Sequence, residues 1–159
     1  MIPLVEQRSR VVSEALTWVG TPFQMNGRVK GKGGGVDCFT LMASVWKACA
    51  LSAPWEAEFY HGDWWCHDTR NSYLRTILKY AKQVPDSGGK LPGNLILVRR
   101  QIQSGVKTVD WHGAIIVRWP LVVHAYSPRV AEDNCLAHPA FQTSGGLVFF
   151  DPFSHEAQR

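Results

Sequence analysis

The hydrophobic pattern of this chain changes period once, and that change limits the folds open to it. Up to about residue 83 apolar residues recur at helical spacing; from Leu91 they come in short β-branched and aromatic runs. Three helices are predicted. The first spans residues 5–19, with Val5, Val12, Ala15, Leu16 and Val19 on one face, and Gly20 and Thr21-Pro22 ending it. The second begins at Cys38, where Cys38, Leu41, Met42, Val45, Trp46 and Cys49 form one apolar stripe behind the N-cap candidate Asp37. The third covers about residues 70–83, with Tyr73, Leu74, Ile77, Tyr80, Ala81 and Val84 inward. Strands are expected at 94–99, 112–118, 121–126 and 146–151. Helices first and strands second predict an α+β fold with an antiparallel sheet.

With 159 residues the chain fits one domain, 1–159, and at 45% hydrophobic and 19% charged it can bury a core and is not a disordered tail. The net charge of +4 favours anionic surfaces such as an acidic cell wall, but the basic residues are scattered, with only Arg99-Arg100 adjacent. Nucleic acid is therefore not an expected partner. No run approaches the roughly 18 apolar residues of a membrane span, so no membrane insertion is expected. Glu6 and Arg8 interrupt the N-terminus before any long apolar stretch. The expectation is synthesis in a cytoplasm without a signal peptide, with something else carrying the protein to where it acts. Cysteines 38, 49, 66 and 135 show no C-x-x-C spacing, so free thiols are the default.

Residues 20–36, rich in glycine, read as a long loop feeding Asp37 and Cys38. A thiol in the first helical turn meets the positive end of the helix dipole, which lowers its pKa and favours the reactive thiolate. Equally, Cys38 suits the helix's inner apolar stripe. A catalytic thiol needs a base, and His112 and His124 offer one. If residues 112–126 form a hairpin centred near Arg118, the two histidines lie opposite each other on one face. That would give nucleophile, base and orienting group. Two unrelated strand histidines are the alternative.

The order Cys, His, polar residue is that of papain-like hydrolases. "WVGTPF" (18–23), "VDCFTL" (36–41), "LPGNLILVR" (91–99), "HGAIIV" (112–117) and "VVHAY" (122–126) together resemble NlpC-type cell-wall cysteine peptidases. "FYHGDWWCH" (59–67) resembles a segment of the subgroup encoded with phage tail genes. The resemblance implies a papain-like fold, with N-terminal helices on a central antiparallel sheet and the nucleophile at a helix start. It implies hydrolysis of peptide bonds in peptidoglycan stems, usually between D-glutamate and the diamino acid, without metal or cofactor. It assigns Cys38 as nucleophile, His112 as base, His124 as third residue and Asp37 as the acidic neighbour. Peptidoglycan and phage tail proteins are the implied partners, and the cell wall the implied place of action. Two departures stand out. Phe39-Thr40 replaces the family's Ser-Gly, so Phe39 is expected to line the cleft. Phe23 replaces a tyrosine associated with the oxyanion; Gln24 or backbone N–H groups are the substitutes. Trp111, beside His112, completes the candidate lining.

Weaker constellations remain. His61, Cys66, His67, Cys135 and His138 contain zinc-ligand types, though Cys66-His67 is an awkward adjacent pair. Trp55, Tyr60, Trp64 and Trp65 suit either a sugar-stacking wall or ordinary packing. Cys49 reads as plain core. The competing functions are a structural tail-assembly protein with little activity, and another thiol hydrolase or acyltransferase.

Overall fold

Asp37 starts the helix around which the fold is built. Its Oδ1 accepts from the N–H groups of Phe39 (3.0 Å) and Thr40 (2.9 Å), while its own N–H donates to Thr40 Oγ1 (2.9 Å). This reciprocal cap satisfies donors that a helix start leaves open. The computed structural model, which describes residues 1–56, 71–102 and 107–154, runs α2 over Cys38–Cys49, beginning where predicted. Leu41, Met42, Val45 and Trp46 are buried as expected, whereas Cys49 is only half-buried.

The first helix, α1, covers Leu4–Thr17 and packs across α2. Its inward face differs from the expected one. Val11, Ala15 and Trp18 are buried, while Val5 is 81% exposed and Val19 46%. Two stripes compete on this helix, and the one ending in Trp18 removes more apolar surface from water. Residues 20–36 are not a featureless loop: β1 (Arg28–Val29) pairs with β2 (Gly35–Val36). Trp55 is a packing residue rather than a sugar platform, being 1% exposed and stacked between Trp46 (5.0 Å) and Tyr80 (4.9 Å). Tyr60, Trp64, Trp65 and the segment 59–67 lie outside the described residues.

The predicted third helix is shorter. As α3 it spans Ser72–Ile77, with Tyr73 and Ile77 buried; Lys82–Val84 is strand β3, followed by one helical turn, α4 (Asp86–Gly89). Lys82 and Gln83 are both exposed and Val84 is half-buried, so this strand is set by its pairing with 149–151 rather than by a pattern of its own, and helical reading overran it. The remaining strands are β4 (Leu95–Ile102), β5 (Lys107–Arg118), β6 (Leu121–Tyr126), β7 (Arg129–Asn134) and β8 (Leu147–Asp151). Their antiparallel sheet has the order β3-β8-β4-β5-β6-β7. Both faces of its centre are covered, which explains why Leu95–Val98 is a continuous apolar run. Leu95, Leu97, Ile115 and Val123 join the core beneath the helices. Ile96, Val98, Ala114, Ile116 and Val122 join a second cluster with Cys135, Phe141 and Phe149. The α+β expectation holds.

Candidate active site

The chemistry of Cys38 departs from expectation, in the opposite direction. A helix start should favour thiolate, yet burial, with the charge of neighbouring Asp37 behind it, pushes the Cys38 thiol up to about 12. Burial strips the solvation a thiolate needs, and the cap adds to the rise. Asp37 already occupies the positive end of the helix with its own carboxylate, 3% exposed, and its Oδ2 takes a further N–H from Asn26 at 2.6 Å. Asp37 is thus a buried cap that ties the 20–36 segment to α2, not a substrate contact. Hydrogen bonds from Tyr73 and from the backbone N–H groups of Gly113 and Phe39 oppose the rise. Asp37→Asn should keep the cap, since asparagine caps helices as well as aspartate does, and remove the charge. Alkylation of Cys38 by iodoacetamide at pH 8–9, read by peptide mass mapping, is expected to become about threefold to tenfold faster. An unchanged rate would show that Asp37's charge does not govern the thiol.

The histidine pair forms, but not by direct opposition. The ladder pairs Ile115 with Val123 and Ile116 with Val122, so its continuation opposes His124 to Ala114 and leaves His112 two residues away. A two-residue offset preserves the face, because side chains alternate with a period of two. Diagonal neighbours remain within reach of long side chains. His112 Nε2 lies 2.8 Å from His124 Nδ1, and His124 Nε2 lies 2.8 Å from Asp133 Oδ2. Asp133 was missed in the sequence because β7 was not read as a strand. The short turn through Ser127-Pro128 pairs His124 with Ala131 and Val122 with Asp133, which sets Asp133 diagonally beside His124 on the same face.

This chain of three groups has one consistent proton arrangement. A carboxylate can only accept, so His124 Nε2 must carry the proton. With His124 neutral, its Nδ1 then accepts from His112 Nε2–H. That leaves His112 Nδ1 with a free lone pair, the form a base needs. Both rings favour neutrality. Burial chiefly, then His124 and His138, pushes His112 well below its ordinary value of 6.5. Burial also lowers His124, against the opposing hydrogen bond and charge of Asp133.

The other predicted residues are scattered. Phe39 is 1% exposed inside the helix-side core, so it does not line a cleft. Phe23 is half-buried, pairs with Val36 and packs against the same core. Gln24 is exposed, its side chain laid over Gly35. Trp111 packs with the second cluster beneath the Arg100 guanidinium, 4.7 Å above its ring. The sulfur's hydrogen-bond partners among the described residues are the Tyr73 hydroxyl at 3.3 Å and the two backbone N–H groups; the His112 ring, expected there, is not among them. Gly113 does bring the His112–Gly113 peptide to the sulfur.

A metal has one possible seat among the described residues: ligand atoms of His124, Asp133 and His138 lie within 4.8 Å of one another. The donor set fits poorly. His138 Nδ1 accepts from Ala140 N–H at 3.1 Å, so in the neutral ring Nε2 carries the proton and offers no lone pair toward Asp133. The zinc reading of the sequence dissolves in part, because Cys135 is buried in the second cluster; His61, Cys66 and His67 lie outside the described residues.

No protein-family model and no curated protein sequence matches the chain. Its likeness to solved structures is in the fold. NlpC1 from Trichomonas vaginalis superposes with a TM-score of 0.63 at 14% identity, over 96% of this chain and 46% of that one. An NLP/P60-family lipoprotein-like protein from Staphylococcus aureus gives 0.57 at 18%, over 94% and 42%. The peptidoglycan hydrolase RipB from Mycobacterium tuberculosis gives 0.57 at 14%, over 96% and 68%. The chain spans less than half the length of the first two. The fold is the papain-like α+β fold of these NlpC/P60 proteins, with antiparallel sheet and helices as expected.

Proposed function

We propose that the chain is a cysteine hydrolase that cuts peptide bonds in peptidoglycan stem peptides. The carrying observation is the Asp133–His124–His112 relay, which leaves a lone pair on His112 beside the peptide that touches the Cys38 sulfur. The fold shared with a peptidoglycan hydrolase supports the substrate class, and the basic net charge suits an anionic wall.

In this reading Cys38 rests as a neutral thiol beside a neutral imidazole. As the sulfur attacks the scissile carbonyl, His112 takes its proton and becomes an imidazolium facing His124. Asp37 engages the N–H groups of Phe39 and Thr40, which leaves the Cys38 N–H as the first-turn donor for the oxyanion; such a donor is worth about 3 kcal/mol in the transition state. His112 then protonates the departing amine. Water, giving a proton to His112, hydrolyses the thioester and releases Cys38. The bond between D-glutamate and the diamino acid, and delivery by a phage tail or similar particle, belong to the same reading through the sequence resemblance.

The test is digestion of purified peptidoglycan with the full chain, with fragments identified by mass spectrometry. Soluble peptides carrying a new diamino-acid amino terminus are expected. An undigested wall would favour the second reading, a structural protein on the same fold, which the high Cys38 pKa and the missing His112 bond support.

A further inference from the structure

The spacing of 70–83 places Tyr73 inward, and it is fully buried. Its hydroxyl, however, lies 3.3 Å from the Cys38 sulfur, and its ring meets Phe39 edge-on at 6.2 Å. We propose that Tyr73 is a catalytic residue whose phenolic O–H donates to the Cys38 sulfur as negative charge forms there. The proposal rests on the hydrolase reading above and names a residue for it that the sequence motifs do not contain.

Three observations carry it. First, the position is built rather than incidental. Asn71, at the start of α3, donates from its side-chain amide to Asp110 Oδ2 (3.0 Å) and accepts from the Asp110 N–H (3.0 Å). Asp110, fully buried, is held in turn by a bidentate pair with Arg99 at 2.9 and 3.0 Å. This network fastens the segment carrying Tyr73 to β5, two residues ahead of His112. Second, the hydroxyl packs closely against a glycine. A Cβ on Gly113 would lie 2.6 Å from the Tyr73 hydroxyl and 2.6 Å from Met42 Cε. Third, the Asp37 carboxylate flanks the sulfur and opposes charge on it, and the Tyr73 hydroxyl is the side-chain donor that acts against it, beside the backbone N–H groups of Gly113 and Phe39.

The step balances without Tyr73 giving up its proton. His112 takes the thiol proton; the sulfur's electron pair forms the new C–S bond; the charge passes to the carbonyl oxygen. When the thioester is hydrolysed the sulfur leaves with its electron pair, and the same O–H receives it before His112 returns the proton.

Tyr73→Phe keeps the ring and deletes the donor. The readouts are Cys38 alkylation by iodoacetamide between pH 8 and 10, and kcat on a soluble stem peptide, both on the full chain. Both are expected to fall by about tenfold or more, the scale of one charge-assisted hydrogen bond. Met42→Leu is the packing control: Met42 Sδ lies 3.9 Å from the same hydroxyl, and the swap conserves volume. It should leave both rates near wild type. Equal alkylation by Tyr73→Phe and wild type would overturn the proposal, as would an equal loss in Met42→Leu. Alkylation needs no substrate, so a wild-type chain that digests nothing would sink the hydrolase reading while leaving the thiol–phenol bond separately measured.

Discussion

Cys38→Ala is expected to abolish release of soluble peptides from peptidoglycan, a loss of at least about a thousandfold in kcat. The argument is chemical. Alanine removes the sulfur that would form the acyl intermediate. Asp37 is committed to the cap. The fold should survive, because the cap does not use the Cys38 side chain and alanine suits a helix. Unchanged circular dichroism and melting temperature would verify this. The comparison also exposes a contaminating hydrolase, whose activity would not follow the substitution. Equal digestion by Cys38→Ala and wild type would end the cysteine-hydrolase reading. Retained activity in Cys38→Ser would likewise be unexpected, since a hydroxyl opposite so weakly basic an imidazole gives up its proton less readily than a thiol.

What the sequence revealed depended on how local each feature is. The start and inner face of helix α2 are legible because its cap and stripe lie within one short stretch, Asp37 to Cys49. The shared face of His112 and His124 was legible despite a register error, because an even offset does not change the face. Asp133 was not. It sits on β7, an edge strand whose "RVAEDN" holds only Val130 as a buried apolar residue, and polar edges of this kind do not announce themselves by alternation. Tyr73 was read as inward-facing, which is true, but its meeting with Cys38 depends on the Asn71–Asp110–Arg99 network between distant segments. The Cys38 pKa failed for a different reason. Burial, which depends on tertiary packing that no local motif displays, outweighs the helix start, and the charge of the Asp37 cap adds to it.

Asp133→Asn is expected to lower kcat by about a hundredfold or more while leaving KM nearly unchanged. The substitution changes almost no volume and touches a partly exposed residue on an edge strand, so the fold has little to lose. What changes is the rule that fixes the protons. The carboxylate accepts only, which forces the proton onto His124 Nε2 at 2.8 Å. An amide can instead turn its NH2 toward Nε2, making that nitrogen an acceptor. His124 Nδ1 must then carry the proton and donate to His112 Nε2, and His112 Nδ1 becomes N–H. The lone pair that takes the Cys38 proton is gone, although every ring remains in place. A pH profile separates this effect from simple structural damage. Both histidines bind protons less readily than an ordinary imidazole of 6.5, so wild-type activity should persist below pH 6.5 and fall only as the pair takes up protons at still lower pH. In Asp133→Asn the loss should be present across the whole range, because a tautomer at neutral charge, not a protonation, causes it. A variant with wild-type kcat at pH 7 would show that Asp133 does not set the His112 tautomer, and the relay would shrink to the two histidines.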